Sequence, residues 1–184
     1  MRFLTLALGL LALPVQADEV SDAIAAAGTA YEAGDLGASA EALKAASSGV
    51  AQQRSAALAA FLPATVDGWT VEEDPSFAEG MAMIGGGVGA MKRYTREDGT
   101  QISLSVMTGG EMIGAMTQMF SSPEMLAMMG KVIEVKGVSF VDQGNSVMAL
   151  IGEKVLVQAE GAVADQVLPL LEQVDLEGIA GFGQ

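Results

Sequence analysis

The sequence changes character at Pro63, and this change constrains the fold more than any other feature. Before it, residues 18–62 are rich in alanine, with small apolar residues at helical spacing through AIAAAGTAYEAGDLGASAEALKAASS, residues 23–48. After it, QISLSVMT, residues 101–108, alternates apolar and polar residues with period two, which is typical of a strand. We therefore predict a helical segment over 18–62 and a domain containing a sheet over 63–184.

The helical segment contains one clear break, at AGD, residues 33–35. Gly34 suits a helix end and Asp35 suits the N-cap of the next helix, so the pattern predicts a helical hairpin. With Gly28, Tyr31 and Ala40 around this turn, the segment resembles a single tetratricopeptide-type hairpin. We expect Gly28 and Ala40 to let the helices approach and Tyr31 to fill the gap between them. One hairpin cannot bury its own face, so it must dock on the rest of the protein or on a partner.

The second region reads as strands interrupted by helices. The turn EDG, residues 97–99, joins AMKRYTR to QISLSVMT as a hairpin. Alternation places Ile102, Leu104 and Val106 inward and Ser103 and Ser105 outward, while Lys92, Arg93 and Arg96 lie on a solvated strand face. Residues 80–91, rich in glycine, are predicted to be a loop. The order of three strands, two helices, three strands and a helix predicts an α+β domain with a largely antiparallel sheet of about five to six strands packed against helices.

Residues from Leu62 to Phe182 carry a family resemblance in the order of their elements. LPATVDGW, RYTREDGTQISLSVMT, KGVSFV and EKVLVQAEG, with the intervening and final helices, resemble exported α/β domains of the PsbP-like type. The resemblance implies a non-enzymatic accessory or binding role. No functional residues can be assigned from this resemblance, because the chain has no diagnostic motif by which to align it with the family.

The N-terminus has the pattern of a secretory signal peptide over residues 1–17. Arg2 precedes an apolar run over residues 3–13, Pro14 breaks the run, and Val15 and Ala17 are small residues at the −3 and −1 positions of a cleavage site. The run is too short to span a bilayer stably. We expect cleavage near Ala17–Asp18, a periplasmic or secreted product, and no transmembrane segment in the mature chain.

Composition excludes several classes of activity. The chain has no cysteine and no histidine, which removes thiol chemistry, imidazole ligands and the usual general base. Its net charge is −14, which argues against nucleic acid and anionic lipid as partners. No motif places a nucleophile beside a base, so we predict that the protein is not an enzyme.

Methionine is concentrated in EMIGAMTQMFSSPEMLAMMG, residues 111–130, which holds six of the chain's 12 methionines. Thr108 with Glu111 and Ser121 with Glu124 match capping boxes, Pro123 suits a helix start, and Gly130 suits a helix end. We therefore predict two short helices, 110–120 and 122–129, with methionines at helical spacing.

Three readings of these methionines remain open. They form a packed core, or they line a surface for a protein partner or an apolar small molecule. That surface comprises Met112, Met116, Met119, Phe120, Met125, Met128 and Met129. The third reading is Cu(I) binding by thioethers, for which Met81, Met83 and Met91 are the better candidates. We predict a non-catalytic accessory protein that binds a periplasmic protein or an apolar ligand and has no cofactor. The alternatives are a methionine-type copper binder and a purely structural domain.

Overall fold

The computed structural model describes residues 19–83, 87–120 and 122–183. The predicted signal peptide, residues 1–17, lies outside the described residues. The chain divides into two compact units between Gly49 and Val50.

A helical hairpin is present as predicted, but the first unit ends at Gly49, within the range of 18–62 predicted for the hairpin. Helix α1 (Glu19–Glu32) is followed by a turn and by α2 (Leu36–Ala59), whose last part belongs to the second unit. Gly34 adopts φ +77°, and the Asp35 carboxylate accepts a hydrogen bond from the Ala38 amide at 2.9 Å. Both observations confirm the predicted break and N-cap.

The contact between α1 and α2 is made by small residues. Ala27 and Ser39 are buried, and the Ser39 hydroxyl donates to the Ala27 carbonyl at 3.0 Å. The prediction that Gly28 and Ala40 form this contact is wrong, because both are exposed. Tyr31 is 68% exposed, so the prediction that its ring fills the gap is also wrong. The gap is too narrow for a ring, because a hydrogen bond to the backbone holds the two helices close.

The second unit is built on one sheet of seven strands. The strands are β1 (Trp69–Glu73), β2 (Val88–Arg96), β3 (Gln101–Thr108), β4 (Lys131–Val135), β5 (Val138–Asp142), β6 (Ser146–Ile151) and β7 (Val155–Glu160). Their order is β1-β2-β3-β7-β6-β5-β4, with every neighbouring pair antiparallel. Two meanders, β1 to β3 and β4 to β7, are thus joined through β3 and β7.

This sheet confirms the α+β class and corrects the number of strands from five or six to seven. Three strands were predicted after the two methionine helices, and four are present, because KVIEVKGVSFVDQ forms two strands, β4 and β5. Lys136 and Gly137 both have positive φ, at 49° and 77°, which makes the tight turn between them.

Five further helices belong to the second unit among its described residues: α3 (Pro75–Met83), α4 (Gly110–Phe120), α5 (Pro123–Met129), α6 (Ala164–Leu171) and α7 (Leu176–Gly181). Helices α4 and α5 match the two predicted around the SSP break. The predicted loop over 80–91 is wrong at both ends, because residues 80–83 complete α3 and residues 88–91 begin β2. The Asp74 carboxylate, which accepts from the Ser76 amide at 3.1 Å, and Pro75 in the first turn start α3.

The sheet is covered on both faces. One face carries the main core, with Tyr94, Phe140, Leu104 and Val157 fully buried beneath Leu58, Leu62 and the residues of α6 and α7. The opposite face carries a second, smaller cluster beneath α3, α4 and α5.

Coverage of both faces buries two polar residues that were predicted to be exposed. Ser105 is 6% exposed, on the face opposite Leu104. Lys92 is 5% exposed, and its ammonium group donates to the Leu62 carbonyl at 3.2 Å and lies 3.4 Å from a Glu73 carboxylate oxygen. The prediction of a solvated face is therefore wrong for Lys92. Lys92 pairs with Leu104 and therefore lies on the face of the main core, whereas Ser105 lies on the second face. Strand alternation assigns residues to faces but does not show what covers each face.

Candidate binding surface

The second face of the sheet is lined largely by methionine. Met81, Met107 and Met148 are buried there with Ile113 and Leu156, and Phe77, Met116, Phe120, Met129 and Leu150 pack against them. Because the thioether side chain is flexible and polarizable, it fills the irregular space between a sheet and three short helices. Most of this cluster is ordinary core.

Helices α4 and α5 divide the predicted surface residues into two groups. Met116, Phe120 and Met129 are half-buried and pack against the second cluster. Met119 and Met125 are each 41% exposed, and Met128 is 83% exposed. The backbone of Met112 lies in α4, whereas its side chain lies outside what the structure describes. We call Met119, Met125 and Met128 the exposed methionine group.

The charge beside this group is negative. Glu124 lies in the first turn of α5, and the Ser122 hydroxyl donates a hydrogen bond to its carboxylate. This hydrogen bond lowers the pKa of Glu124 below its ordinary value, so the carboxylate stays ionised next to Met125.

The capping residues of these helices differ from the predicted ones. Thr108 lies two residues before α4, and its hydroxyl donates to the Lys154 carbonyl at 2.7 Å. Ser122, the residue after the predicted cap, occupies the N-cap position of α5. Ser121 lies outside the described residues.

The three methionines proposed for copper are placed on two elements. Met81 and Met83 are two residues apart in α3, and successive helical residues turn by about 100°, so these side chains leave opposite sides of the helix. Accordingly, Met81 is 8% exposed and Met83 is 87% exposed. Met91 is half-buried on β2. The structure therefore does not bring Met81 and Met83 together around one ion, and copper binding stays an untested prediction.

Hard cations have no evident site in the described part of the chain. Within residues 19–83, 87–120 and 122–183, no group of three or more aspartates or glutamates is arranged to hold a metal ion.

A cavity of about 230 Å³ lies at the N-terminal end of α4. Its walls combine polar and apolar groups and are rich in glycine, and the residues that line it are Arg54, Thr108, Gly109, Gly110, Ile113, Gly114, Thr117, Glu153, Lys154, Phe182 and Gly183. The Arg54 guanidinium lies 5.9 Å from the centre of the Phe182 ring. None of the methionines in the described residues lines this cavity, so it is separate from the exposed methionine group.

Sequence reasoning missed Met107 and Met148 as members of the second cluster. Both lie on strands, at positions that alternation assigns to the face opposite Leu104 and Val147. An apolar residue on the nominally polar face of a strand was the available signal that another layer covers it.

No described helix has both the length and the apolar character needed to cross a membrane. Comparisons with protein-family models, with curated proteins and with solved structures gave no significant match for this chain. Its function is therefore inferred from the fold and from the surface of the molecule.

Proposed function

We propose that this is an exported, non-catalytic accessory protein that binds a partner protein through Met119, Met125 and Met128 on α4 and α5. The proposal rests on one observation, which is that the methionines of α4 and α5 fall into an inward group and an outward group. The inward ones pack against the second cluster, whereas Met119 and Met125 are each 41% exposed and Met128 is 83% exposed.

Exposed methionine favours binding because burial in an interface is energetically favourable. Full burial of a methionine side chain contributes about 1.5–3 kcal/mol. The flexible thioether also adapts to different partner surfaces. Met125 and Met128 lie three residues apart on one side of α5, and Met119 lies in the last turn of α4, which contacts α5. Scattered single apolar residues would need no explanation.

A protein partner fits this surface better than an apolar small molecule. Small-molecule sites are concave and enclose most of the ligand. The exposed methionine group lies on the solvent side of two helices, and none of its members lines the cavity at the start of α4. The observed geometry supports contact with a broad complementary surface.

The composition supports the non-catalytic and exported parts of the proposal. Without histidine or cysteine, the chain lacks the common general base and the common strong nucleophile. The pattern over residues 1–17 is that of an export signal. Sequencing the N-terminus of the mature protein tests export, with Asp18 expected as the first residue.

Photo-crosslinking in the producing cell tests the partner surface. A photo-crosslinking amino acid replaces Ala127, which is exposed in α5 between the methionines. We expect a crosslinked product with a different protein, reduced about tenfold or more when Met119, Met125 and Met128 are all changed to Gln. Glutamine keeps the length and helix propensity of methionine but removes its apolar surface.

The matched control is Met83→Gln, which changes a methionine on α3 that is 87% exposed, close to the 83% of Met128. It is expected to leave the crosslinked product unchanged. The proposal is wrong if no other protein is crosslinked, if only a second copy of this chain is crosslinked, or if the triple variant crosslinks as well as the unchanged protein.

A further inference from the structure

Strand β4 lies at an edge of the sheet, and the register of its hairpin shows which of its backbone groups are paired. The two-residue turn that follows it, Lys136 and Gly137, places Val135 opposite Val138 on β5. Residues that flank a two-residue hairpin turn exchange both of their backbone hydrogen bonds, and the bonding residues then alternate along the strand. The amide and carbonyl groups of every second residue, counted back from Val135, therefore point toward β5.

The backbone groups of Val132 and Glu134 consequently point away from β5, toward the outer edge of the sheet. Within residues 19–83, 87–120 and 122–183, β4 pairs with β5 alone, and no described residue forms a backbone hydrogen bond with this outer side. Two amides and two carbonyls thus remain for another chain. An extended strand presents donors and acceptors at the same spacing, so it is the conformation that pairs with all four groups.

Val132 also continues the second face of the sheet to this edge. It pairs with Val141 on β5, which pairs with Met148 on β6, and paired residues lie on the same face. Met148 is buried in the second cluster, whereas Val132 is 40% exposed. Helix α5, which covers this face, contacts both β4 and β5, and its residue Met128 is 83% exposed. The apolar layer of the second face is therefore partly uncovered beside the open edge.

The other edge of the sheet, β1, has a different character. Its exposed side chains are Thr70, Glu72 and Glu73, all of them polar. Polar and charged side chains on an edge strand disfavour the addition of another strand, whereas an exposed β-branched apolar residue such as Val132 favours it. The exposed cation of β4, Lys131, is one residue from Val132 and therefore lies on the opposite face of the sheet.

The charge beside Val132 indicates the chemistry of an added strand. Glu134 lies two residues from Val132 and hence on the same face, where its carboxylate accepts a hydrogen bond from the Ser139 hydroxyl at 2.6 Å. Glu124 precedes Met128 by four residues and so lies on the same side of α5. Two carboxylates beside this apolar surface favour lysine or arginine in the strand that pairs with β4.

We propose that an extended segment of the partner protein adds to β4 as a further strand of the sheet. Its backbone pairs with Val132 and Glu134, its apolar side chains lie against Val132 and Met128, and a lysine or arginine lies beside Glu134. A second copy of this chain fits less well, because each copy carries a net charge of −14. The proposal rests on the proposed function, since the same partner contacts the exposed methionine group.

Photo-crosslinking from the strand edge in the producing cell tests the proposal. A photo-crosslinking amino acid replaces Lys131, which is exposed on β4, and in a second protein it replaces Thr70, which is exposed on β1. The position of Lys131 is expected to give a crosslinked product with the same protein that is captured from the position of Ala127. The position of Thr70, on the other edge, is expected to give none.

Val132→Pro tests the backbone contact itself. Proline removes the outward amide proton of residue 132 and leaves the hydrogen bonds to β5 in place, which is the situation in which edge strands tolerate it. We expect this variant to reduce the crosslinked product about tenfold or more, because a carbonyl of the partner strand loses its donor. Val132→Ile is the matched control, since it keeps both the amide and an apolar side chain, and it is expected to crosslink like the unchanged protein.

Hydrogen exchange tests the same contact without a substitution in β4. The complex crosslinked from the position of Ala127 is compared with the free protein by mass spectrometry with fragmentation to single residues. The amides of Val132 and Glu134 are expected to gain about tenfold or more protection in the complex. The amides of Ile133 and Val135, which already bond to β5, are expected to change less.

Several results would overturn the strand addition. These are no product from the position of Lys131 when that of Ala127 is crosslinked, equal products from Val132→Pro and Val132→Ile, crosslinking of a second copy alone, or unchanged exchange of Val132 and Glu134 in the complex. The proposed function stands in the first, second and fourth cases if the product from Ala127 still depends on the three methionines. Conversely, a product from Lys131 that Val132→Pro loses and the triple methionine variant keeps would support the strand addition and overturn the methionine surface.

Discussion

Asp98 illustrates how single side chains hold the sheet's first hairpin in place. Its carboxylate accepts from the Arg96 guanidinium Nε at 2.9 Å and from the Thr100 amide at 2.9 Å, across the turn between β2 and β3. The guanidinium carbon of Arg96 in turn lies 5.2 Å from the centre of the Trp69 ring on β1. Asp98 in the turn thereby positions the Arg96 guanidinium against Trp69 on β1.

The hydrogen bonds to Asp98 predict an acid-dependent contribution to stability. Donation by Arg96, and then by Thr100, holds the pKa of Asp98 well below its ordinary value. A carboxyl group with a lowered folded-state pKa stabilises the fold above about pH 4, and this stabilisation is lost as the pH falls through the lowered pKa. Asp98→Asn is therefore expected to lower the free energy of unfolding at pH 7, by an amount that shrinks toward pH 2.

Denaturant unfolding of both proteins between pH 2 and pH 7 measures this difference. Glu97→Gln is the control, because the Glu97 carboxylate makes no hydrogen bond to any described residue. A difference between Asp98→Asn and the unchanged protein that is constant over this pH range would contradict the assignment.

Two long polar side chains of β2 reach the segment that follows α2 and bind its backbone carbonyls. The Tyr94 hydroxyl donates to the Pro63 carbonyl at 2.8 Å, close to where Lys92 binds the Leu62 carbonyl. Burial, with the nearby Glu73 carboxylate, raises the pKa of Tyr94, so its hydroxyl remains a donor at every ordinary pH. These two side chains fix the segment that leaves α2, where the helical hydrogen bonds have ended.

At the scale of elements, the end of β7 depends on a glycine. Gly161 has φ +103°, and a Cβ atom there would lie 2.5 Å from the Gln101 carbonyl oxygen at the start of β3. The backbone therefore has two reasons to require glycine, its left-handed conformation and the close approach of a neighbouring strand.

Gly161→Ala is expected to lower the free energy of unfolding by about 2–5 kcal/mol, from strain and overpacking together. Gly144→Ala separates the two causes, because Gly144 also has positive φ, at 92°, but has open space around it. This control is expected to cost about 1–2 kcal/mol. Denaturant unfolding measures the free energy of unfolding of both variants. Equal decreases would show that the contact with Gln101 has no effect.

The helices differ in how well local sequence predicts them. Helices α4 and α5 could be predicted because the SSP break, Pro123 and Gly130 lie within a few residues of their ends. Helix α3 was missed because its sequence runs into a glycine-rich segment that resembles a loop. Its position depends on contacts distant in sequence, such as Phe77 beside Gly89.

At the scale of the whole molecule, the two units have very different cores. Within residues 19–49 the buried residues are Ala27, Ser39 and Ala46, whereas the second unit buries large side chains on both faces of its sheet. Because apolar burial is the main source of stability, the hairpin contributes little to it.

This contrast predicts unequal protection of backbone amides from hydrogen exchange. Amides of α1 are expected to exchange through local opening, with protection about a hundredfold or more below that of β3, β6 and β7. Hydrogen exchange followed by mass spectrometry measures this by segment. Equal protection of α1 and the central strands would contradict it and show that the hairpin opens only with the sheet.

The sequence by itself determined what depends on neighbouring residues. The hairpin turn at Gly34 and Asp35, the strand hairpin around Asp98, and the two methionine helices all follow from backbone preferences and periodicity within a few residues. Only the tertiary structure decided that helices cover both faces of the sheet and that Lys92 is buried. It also decided that Met116 and Met129 point inward while Met119, Met125 and Met128 are exposed. These outcomes depend on which elements, distant in sequence, pack together. Helical spacing alone does not distinguish a methionine that becomes buried from one that stays exposed.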